Sequence, residues 1–381
     1  MDATDPRFEV IDSLAGTEFE LALVELFEML GYDEVTHIGG YDKGADITFV
    51  QADEAGGATY SDGTVKDIFQ LLKDHGFNAV RLRTFVDPKA QDGYDQQNGF
   101  ADLAHTITFA TRIKAAHMGF LLDFHYSDNW ADVSKQCVPV AWQGMTLAQM
   151  AQALHDYTKN AITQLVAAGA RPDIVQIGNG ITPGMLIHIC DNSGSPTSLS
   201  PVGGSVANWT NLGTLLNAGV AGVKEADASI QIMLHLDQGG DKPPAAAGTA
   251  LQTNIDWITN ATNQGVQFDI LGESAFQVHQ GDPSSEPNTQ RTWMSTFAGL
   301  ASHFPNLAIM AVEYGSLQRD INDVVYGLAG QQGIGAFTWE PTHEGNWNEG
   351  HALFAASGTK YTATADLSLY DAMKSAYASR L

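Results

Sequence analysis

Acidic side chains stand where two buried strands are predicted to end. The apolar run Met310-Ala311-Val312 leads directly to Glu313, and the run Phe337-Thr338-Trp339 leads to Glu340. Two carboxyl groups roughly 5–5.5 Å apart can cleave a glycosidic bond with retention of configuration, one as nucleophile and the other as acid and base. Glu313 has the residue type and the position for the nucleophile.

A third strand-like run ends without a carboxylate. Ile174–Ile177 is followed by Gly178-Asn179-Gly180, which offers one amide and no acid. If this strand faces Glu313, the site has one half of the carboxyl pair that retaining hydrolysis uses.

Helix and strand patterns alternate from about residue 44 and predict an α/β fold. Eight alternations imply a closed parallel (β/α)8 TIM barrel better than an open sheet. The predicted strands are Ala45–Phe49, Ala79–Arg83, Phe120–Phe124, Ile174–Ile177, Ile230–Leu234, Phe268–Leu271, Leu307–Glu313 and Ile334–Glu340. Catalytic groups of barrel enzymes come from the C-terminal strand ends. The polar residues at or just past these ends are Asp123, His125, Asn179, His235, Asp237, Glu273, Glu313 and Glu340.

Two capping patterns predict where intervening helices begin. Thr64 with Asp67, and Thr146 with Gln149, each place a hydroxyl three residues before a side chain that can return the hydrogen bond. Apolar residues then recur at helical spacing. Further helices are predicted over 103–117, 209–225, 288–303, 317–330 and 366–379.

Composition narrows the possible partners. The 381 residues carry 44 acidic and 19 basic side chains, for a net charge of −25. Such a surface repels polyphosphate, so nucleic acid is not expected as a partner, whereas a neutral polymer is compatible. No apolar stretch of about 18 residues indicates a membrane span. We expect a monomer with no cofactor, since no glycine-rich phosphate loop is present.

The cysteines leave two possibilities open. Cys137 and Cys190 follow the third and fourth predicted strands, so they could form one disulfide on the same barrel face or remain two buried thiols. No Cys-x-x-Cys spacing indicates a metal site. The first residues show no signal peptide. A mature form would look the same, and we expect a secreted protein.

Several longer motifs resemble one enzyme family. The segments that carry the resemblance are Phe124-His125-Tyr126-Ser127-Asp128-Asn129-Trp130-Ala131-Asp132, Gln176-Ile177-Gly178-Asn179, Thr182-Pro183-Gly184-Met185-Leu186, Thr338-Trp339-Glu340-Pro341 and Gly350-His351-Ala352-Leu353-Phe354. Together they resemble the endo-β-1,4-galactanases of glycoside hydrolase family 53, from about Lys43 to the C-terminus. The resemblance implies a (β/α)8 barrel that hydrolyses the β-1,4-galactan side chains of pectin with retention.

The resemblance also implies roles for single residues. It makes Glu313 the nucleophile and places the acid/base glutamate at Gly180. Independently of the resemblance, Arg81 or Arg83 of the second strand would keep Glu313 ionised by charge pairing. Asn179 would contact the sugar 2-hydroxyl, and Trp339 would offer an aromatic platform. The other residues that it implies for the substrate cleft are His125, Asp128, Asn129, Trp130, His235 and Asp237, with Glu273 and Glu340 holding side chains or sugar hydroxyls. Phe276 stands where the family commonly has tyrosine.

Residues 1–43 depart from the family. Phe19, Leu23 and Leu26 belong to an amphipathic helical pattern, and Gly39 to Asp46 resembles the opening of Mrr-type restriction-endonuclease domains. Such a nuclease would need a lysine soon after Asp46, and none follows. We therefore expect a helical extension over 1–43 that caps the bottom of the barrel, and a hydrolase domain over 44–381.

Three functions remain open at this stage. The first is an endo-β-1,4-galactanase whose activity is strongly impaired by Gly180, because glycine cannot donate a proton. The second is an inactive protein that binds β-1,4-galactan. The third, a DNA-handling fusion, rests on the N-terminal segment alone and conflicts with the acidity of the chain.

Overall fold

Eight parallel strands close into a barrel in the computed structural model, which describes residues 40–239, 247–277 and 286–377. The strands are β1 (Asp42–Asp46), β2 (Ala79–Thr84), β3 (Gly119–Phe124), β4 (Ile174–Ile177), β5 (Gln231–Leu236), β6 (Ile270–Ser274), β7 (Ala308–Tyr314) and β8 (Gly333–Trp339). Each strand pairs with its neighbour along the chain, and β1 pairs with both β2 and β8. This confirms the predicted (β/α)8 barrel.

Helices surround the barrel. They are α1 (Val50–Ala55), α2 (Ile68–Asp74), α3 (Leu103–Ala115), α4 (Leu147–Ala167), α5 (Trp209–Ala226), α6 (Ala247–Asn263), α7 (Glu286–His303), α8 (Gln318–Tyr326) and α9 (Leu369–Ala376). The sequence did not predict α1 and α6, and the other helices agree with the predictions apart from their ends. None of the described helices is long and apolar enough to cross a membrane.

The two predicted capping patterns have different outcomes. At α4 the prediction is confirmed, because the Thr146 hydroxyl accepts from the Gln149 backbone and the Gln149 side chain accepts from the Thr146 backbone. At α2 the prediction is wrong. Asp67 caps that helix by accepting from the Phe69 backbone. Val65, placed by the sequence on the apolar helix face, lies instead in a short strand and is 66% exposed.

The first strand also differs from its prediction. β1 covers Asp42–Asp46 rather than Ala45–Phe49, so Phe49 lies beyond the strand end and close to α1. The shift moves Asp46 to the C-terminal end of β1, where it can meet side chains of β2. The extension predicted over residues 1–43 falls almost wholly outside the described residues.

The barrel interior has an apolar lower layer and a polar upper layer. The lower layer comprises Ala79, Leu121, Ile174, Met233, Ile270, Met310, Val312 and Phe337. Gly44 is required there, since a Cβ at that position would lie 2.1 Å from the Phe337 ring. Inward positions of β2 then pass from Ala79 to Arg81 and Arg83, both fully buried. Charge is therefore concentrated at the C-terminal end of the barrel.

A bulge in β7 turns Glu313 toward this polar layer. Glu273 of β6 pairs with Ala311, but the next residue, Ser274, pairs with Glu313 rather than Val312. Val312 faces the apolar interior layer. With strict alternation the following residue would face outward. The extra residue lets Glu313 face inward as well, a common use of bulges beside functional sites.

Candidate active site

Glu313 is held by one donor on each carboxylate oxygen. Arg81 Nη1 donates to Oε1 at 3.0 Å, and the Ser274 hydroxyl donates to Oε2 at 3.0 Å. Burial alone would raise the pKa of Glu313, but the charge of Arg81 together with smaller contributions, among them the Ser274 hydrogen bond, leaves the pKa below its usual value. The side chain is therefore an oriented, ionised carboxylate, which is the state that a nucleophile requires.

Arg81 connects four strands. Besides Glu313 on β7, its guanidinium donates to Asp46 of β1 at 2.7 Å and to Asp123 of β3 at 2.8 Å. Nη2 also donates to the Asn179 amide oxygen, just past β4, at 2.8 Å. Since one guanidinium contacts both Glu313 and Asn179, these residues lie side by side. The sequence expectation that the ends of β4 and β7 meet is confirmed.

Gly180 follows Asn179 in a left-handed backbone conformation with φ of +55°. A Cβ at this position would lie 3.5 Å from the Asp132 Cα and 3.4 Å from the Val133 nitrogen, which are ordinary contact distances. The site can therefore accommodate a side chain, although L-residues adopt this conformation at a cost of about 1–2 kcal/mol.

Gln136 fixes the backbone around Gly180. Its buried side-chain amide donates to the carbonyls of Asp132, Asn179 and Gly180 at 3.0, 2.8 and 3.3 Å. The next residue, Cys137, is bonded to Cys190, which resolves the two alternatives for the cysteines in favour of a disulfide. The loop after β3 is thus attached both to the end of β4 and to the loop after it.

His235 links the Asn179 side to the Glu313 side. Its Nδ1 lies 2.7 Å from the Asn179 amide oxygen, and its Nε2 lies 2.9 Å from the Ser274 hydroxyl that contacts Glu313. Burial lowers the pKa of His235 and favours the neutral ring. Because the Ser274 hydroxyl donates to Glu313, the neutral ring carries its proton on Nε2 and donates to Ser274, while its Nδ1 accepts from the Gly180 backbone at 3.2 Å.

An aromatic cleft of about 500 Å³ opens above Glu313. Its lining residues are Phe49, Trp130, Ala131, Asp132, Lys135, Asn179, Phe276, Glu313, Trp339 and Trp347. Three tryptophans around a carboxylate suit a sugar, whose apolar ring faces stack on aromatic groups while its hydroxyls hydrogen-bond. A larger cavity of about 590 Å³ lies between α7 and α8, away from the strand ends and this network.

Arg83 packs against the tryptophans that line the cleft. Its guanidinium carbon lies 4.5 Å from the Trp130 ring centroid and 5.5 Å from that of Trp339. It also donates to Asp46 at 2.8 Å and pairs with Glu340. Burial raises the pKa of Glu340 to about 8 despite Arg83. Arg83 and Glu340 therefore lie beneath the cleft rather than in its lining.

Two other residues predicted to bind substrate are engaged in contacts within the protein. His125 accepts from the Ala131 backbone, and its other nitrogen lies 3.1 Å from Asp123. Asp128 accepts from the backbones of Asp87 and Val140, and burial raises its pKa to about 6. The described contacts therefore give both residues a role in shaping the loop after β3.

Three further predicted residues lie outside the cleft lining. Asn129 binds the Asp92 carbonyl at 2.7 Å and the Trp130 backbone at 2.8 Å. Glu273 accepts from the Gln238 backbone at 3.0 Å, while Asp237 accepts from the Gln238 side chain at 2.7 Å. These three side chains hold the loops after β2, β3 and β5.

Sequence reasoning missed five members of the cleft: Phe49, Ala131, Asp132, Lys135 and Trp347. Phe49 was assigned to β1, and the others lie in loops that follow β3 and β8. The detectable signal was the motif ending at Asp132, since loops after barrel strands form the active face. No group of three or more metal-ligating side chains occurs in the described residues.

The barrel carries a buried carboxylate and a tryptophan-lined cleft at its C-terminal face. This arrangement suits a carbohydrate-active barrel enzyme. The sequence profile of glycosyl hydrolase family 53 matches residues 42–317. An arabinogalactan endo-beta-1,4-galactanase from Thermothelomyces thermophilus is 30% identical over 83% of this chain and 95% of that protein. The chain belongs to glycosyl hydrolase family 53.

Solved structures agree with this assignment. A fungal beta-1,4-galactanase structure superposes with a TM-score of 0.71 at 26% identity, covering 87% of this chain and 99% of the other. The family 53 catalytic domain from Ignisphaera aggregans gives a TM-score of 0.70 at 27% identity, with coverage of 88% and 96%. The scaffold is therefore that of a family 53 glycosidase.

Proposed function

We propose that this protein is a retaining endo-β-1,4-galactanase scaffold that binds galactan but cleaves it very slowly, because its acid/base residue is missing. Glu313 is the nucleophile. The observation that carries the proposal is the environment of residue 180: it adjoins Asn179 beside Glu313, has room for a side chain, and is glycine.

Without a proton donor, the first chemical step is the difficult one. The galactan chain leaves as an alkoxide, and general acid assistance to such a group is typically worth about 10²–10⁴-fold. A galactoside with an acidic phenol as leaving group needs no proton, so its first step should remain fast. Natural galactan and an activated galactoside should therefore differ sharply in turnover.

Asp132 is the other carboxylate in the cleft lining. Its Oδ1 accepts from the Ser134 hydroxyl and backbone at 2.6 and 2.7 Å, and from the Lys135 backbone at 3.1 Å. These contacts fix a tight turn in the cleft wall. We therefore assign Asp132 a loop-forming role, and loss of residual galactan turnover in soluble, folded Asp132→Asn would reassign it as the proton donor.

A second candidate function is galactan binding without any hydrolysis. It is favoured by Trp130, Trp339 and Trp347, which line the cleft together although no acid stands at position 180. In either function the partner is a neutral β-1,4-linked galactan or galacto-oligosaccharide, and we propose a secreted monomer. An acidic surface is compatible with both properties.

The test is Gly180→Glu, assayed on β-1,4-galactan beside the unaltered chain and Gly180→Ala. We expect Gly180→Glu to gain about 10²–10⁴-fold in turnover. Gly180→Ala has the same left-handed strain without a carboxylate, so it should gain nothing. Galactan affinity is measured on all three proteins.

The outcomes separate the two candidates. Binding with slow but Glu313-dependent turnover supports the impaired galactanase, and binding with none supports the second function. Full galactanase turnover by the unaltered chain would overturn the assignment of residue 180.

A further inference from the structure

Lys135 brings a positive charge into the cleft beside Gly180. It lines the same cleft as Glu313, and within the described residues its ammonium group forms no ion pair. The backbones of Asp132 and Lys135 exchange two hydrogen bonds of 3.1 Å, which hold this turn against residue 180. A Cβ at residue 180 would touch Asp132 and Val133, so Lys135 is close to the space that an acid/base side chain would fill.

A carboxylate at position 180 would repel an incoming anion, and glycine does not. The remaining acids of the cleft lining are Glu313 and Asp132. When Glu313 carries a galactosyl ester it is neutral, and Asp132 is engaged in its turn. A small anion entering the cleft at that stage meets Lys135, the cationic residue of its lining, in an environment where charge interactions are stronger than in water.

We propose that this cleft transfers galactosyl units to a small oxyanion, a carboxylate or inorganic phosphate, which binds beside Gly180 and Lys135. The inference rests on the proposed function and identifies the acceptor that the site favours over water. Water needs a general base to become a good nucleophile, and position 180 provides none. An oxyanion is already deprotonated and needs no base.

The two steps balance without a proton donor. In the first, the Glu313 carboxylate attacks the anomeric carbon of an aryl β-galactoside, and the phenolate leaves with the electron pair of the broken C–O bond. In the second, the oxyanion attacks the same carbon from the opposite face, and Glu313 leaves as a carboxylate. The product is the β-galactosyl ester of the acceptor, with net retention of configuration.

The experiment uses 2,4-dinitrophenyl β-galactobioside as donor and sodium formate or sodium phosphate as acceptor, with sodium chloride keeping ionic strength constant. Phenolate release and the galactosyl product are followed together. We expect phenolate release to rise about tenfold or more with the acceptor, toward the 10²–10⁴-fold value of the missing base. The formate and phosphate arms show which oxyanion the site prefers.

Two variants, Lys135→Met and Gly180→Glu, test whether the effect depends on the proposed residues, and a third serves as the control. Lys135→Met should raise the half-saturating acceptor concentration about fivefold, because one close charge interaction near a protein surface is lost. Lys360→Met removes an exposed lysine from the strand Lys360–Ala363 and should have no effect. Gly180→Glu should abolish the acceptor dependence, because it restores both the base and the repulsion.

The outcomes distinguish this inference from the function on which it rests. If a galactosyl ester forms on Glu313, detected by the mass of the intact protein, but no acceptor product appears, the transfer inference is wrong and the proposed function stands. If the half-saturating acceptor concentration does not change in Lys135→Met, the proposed location of the oxyanion site is wrong. If no ester forms and galactan is not bound, both fail.

Discussion

Glu313 and Asn179 share a single guanidinium, because Arg81 donates to the carboxylate at 3.0 Å and to the amide oxygen at 2.8 Å. The two residues come from opposite sides of the barrel, β7 and the end of β4. Arg81 is fully buried and also binds Asp46 and Asp123. The proposed nucleophile and the neighbour of residue 180 therefore occupy fixed relative positions in the protein itself.

Arg81→Lys should impair Glu313, the proposed nucleophile, and shift the pH dependence of activity. Lysine cannot reproduce the forked contacts, and the pKa of Glu313 should rise because Arg81 lowers it. We expect the acid limb of kcat/KM on an activated galactoside to move to higher pH, with a loss of about 10²-fold. Arg112→Lys, at a partly exposed pair with Glu54, is the control and should leave that limb in place. An unshifted acid limb in Arg81→Lys would contradict the role of Arg81.

Glu340→Gln should change how stability depends on pH. The pKa of Glu340 is raised to about 8, mainly by burial, so the folded state holds a proton that the unfolded state releases above its ordinary pKa. This group therefore makes the free energy of unfolding fall as pH rises from about 5 to 8. In Glu340→Gln, denaturant unfolding measured across that range should no longer show this fall in the free energy of unfolding. Glu225→Gln, at an exposed surface pair, should keep it.

Trp339→Ala should weaken galactan binding. Trp339 lines the cleft and packs against Trp347 with ring centroids 4.6 Å apart. Loss of a central aromatic contact commonly costs more than 1 kcal/mol, so we expect Kd for galacto-oligosaccharides to rise about tenfold. Calorimetric titration measures it. Trp209→Phe, on the outer helix α5, provides the comparison, and equal effects of both changes would remove Trp339 from the binding surface.

Replacing Cys137 and Cys190 by serine should lower stability and loosen the cleft wall. The bond closes a segment with a sequence separation of 53, for which chain entropy predicts a loss of about 4 kcal/mol. We expect a lower denaturant midpoint and weaker galactan binding, since Gln136 precedes Cys137. Adding reductant to the unaltered chain should reproduce both effects. A variant with unchanged midpoint and affinity would show that the bond contributes to neither.

The barrel could be predicted from the sequence because its signal is distributed over the chain. Eight apolar runs alternate with helical patterns, and errors at individual boundaries do not change the count. The start of α2 was mispredicted for a tertiary reason: Val65 pairs with Ser61 in a small sheet, an interaction that the local capping pattern cannot reveal. Asp67 then becomes the available cap.

The site was only partly predictable. Strand-end residues such as Glu313 and Asn179 follow directly from the strand assignment. The inward orientation of Glu313 depends on the bulge in β7, because regular alternation after Val312 would turn it outward. Lys135 and Trp347 belong to loops, whose paths have no periodic signal in the sequence. These two residues therefore required the three-dimensional arrangement.

The amide of Gln136 has a consequence for how this protein could change over time. It donates to the Asn179 and Gly180 carbonyls, so these contacts do not depend on which side chain residue 180 carries. A glycine codon that ends in a purine becomes a glutamate codon through one base substitution. Where the Gly180 codon is of this kind, a single mutation would exchange the proposed dormant form for one with a carboxylate, with the supporting framework already in place.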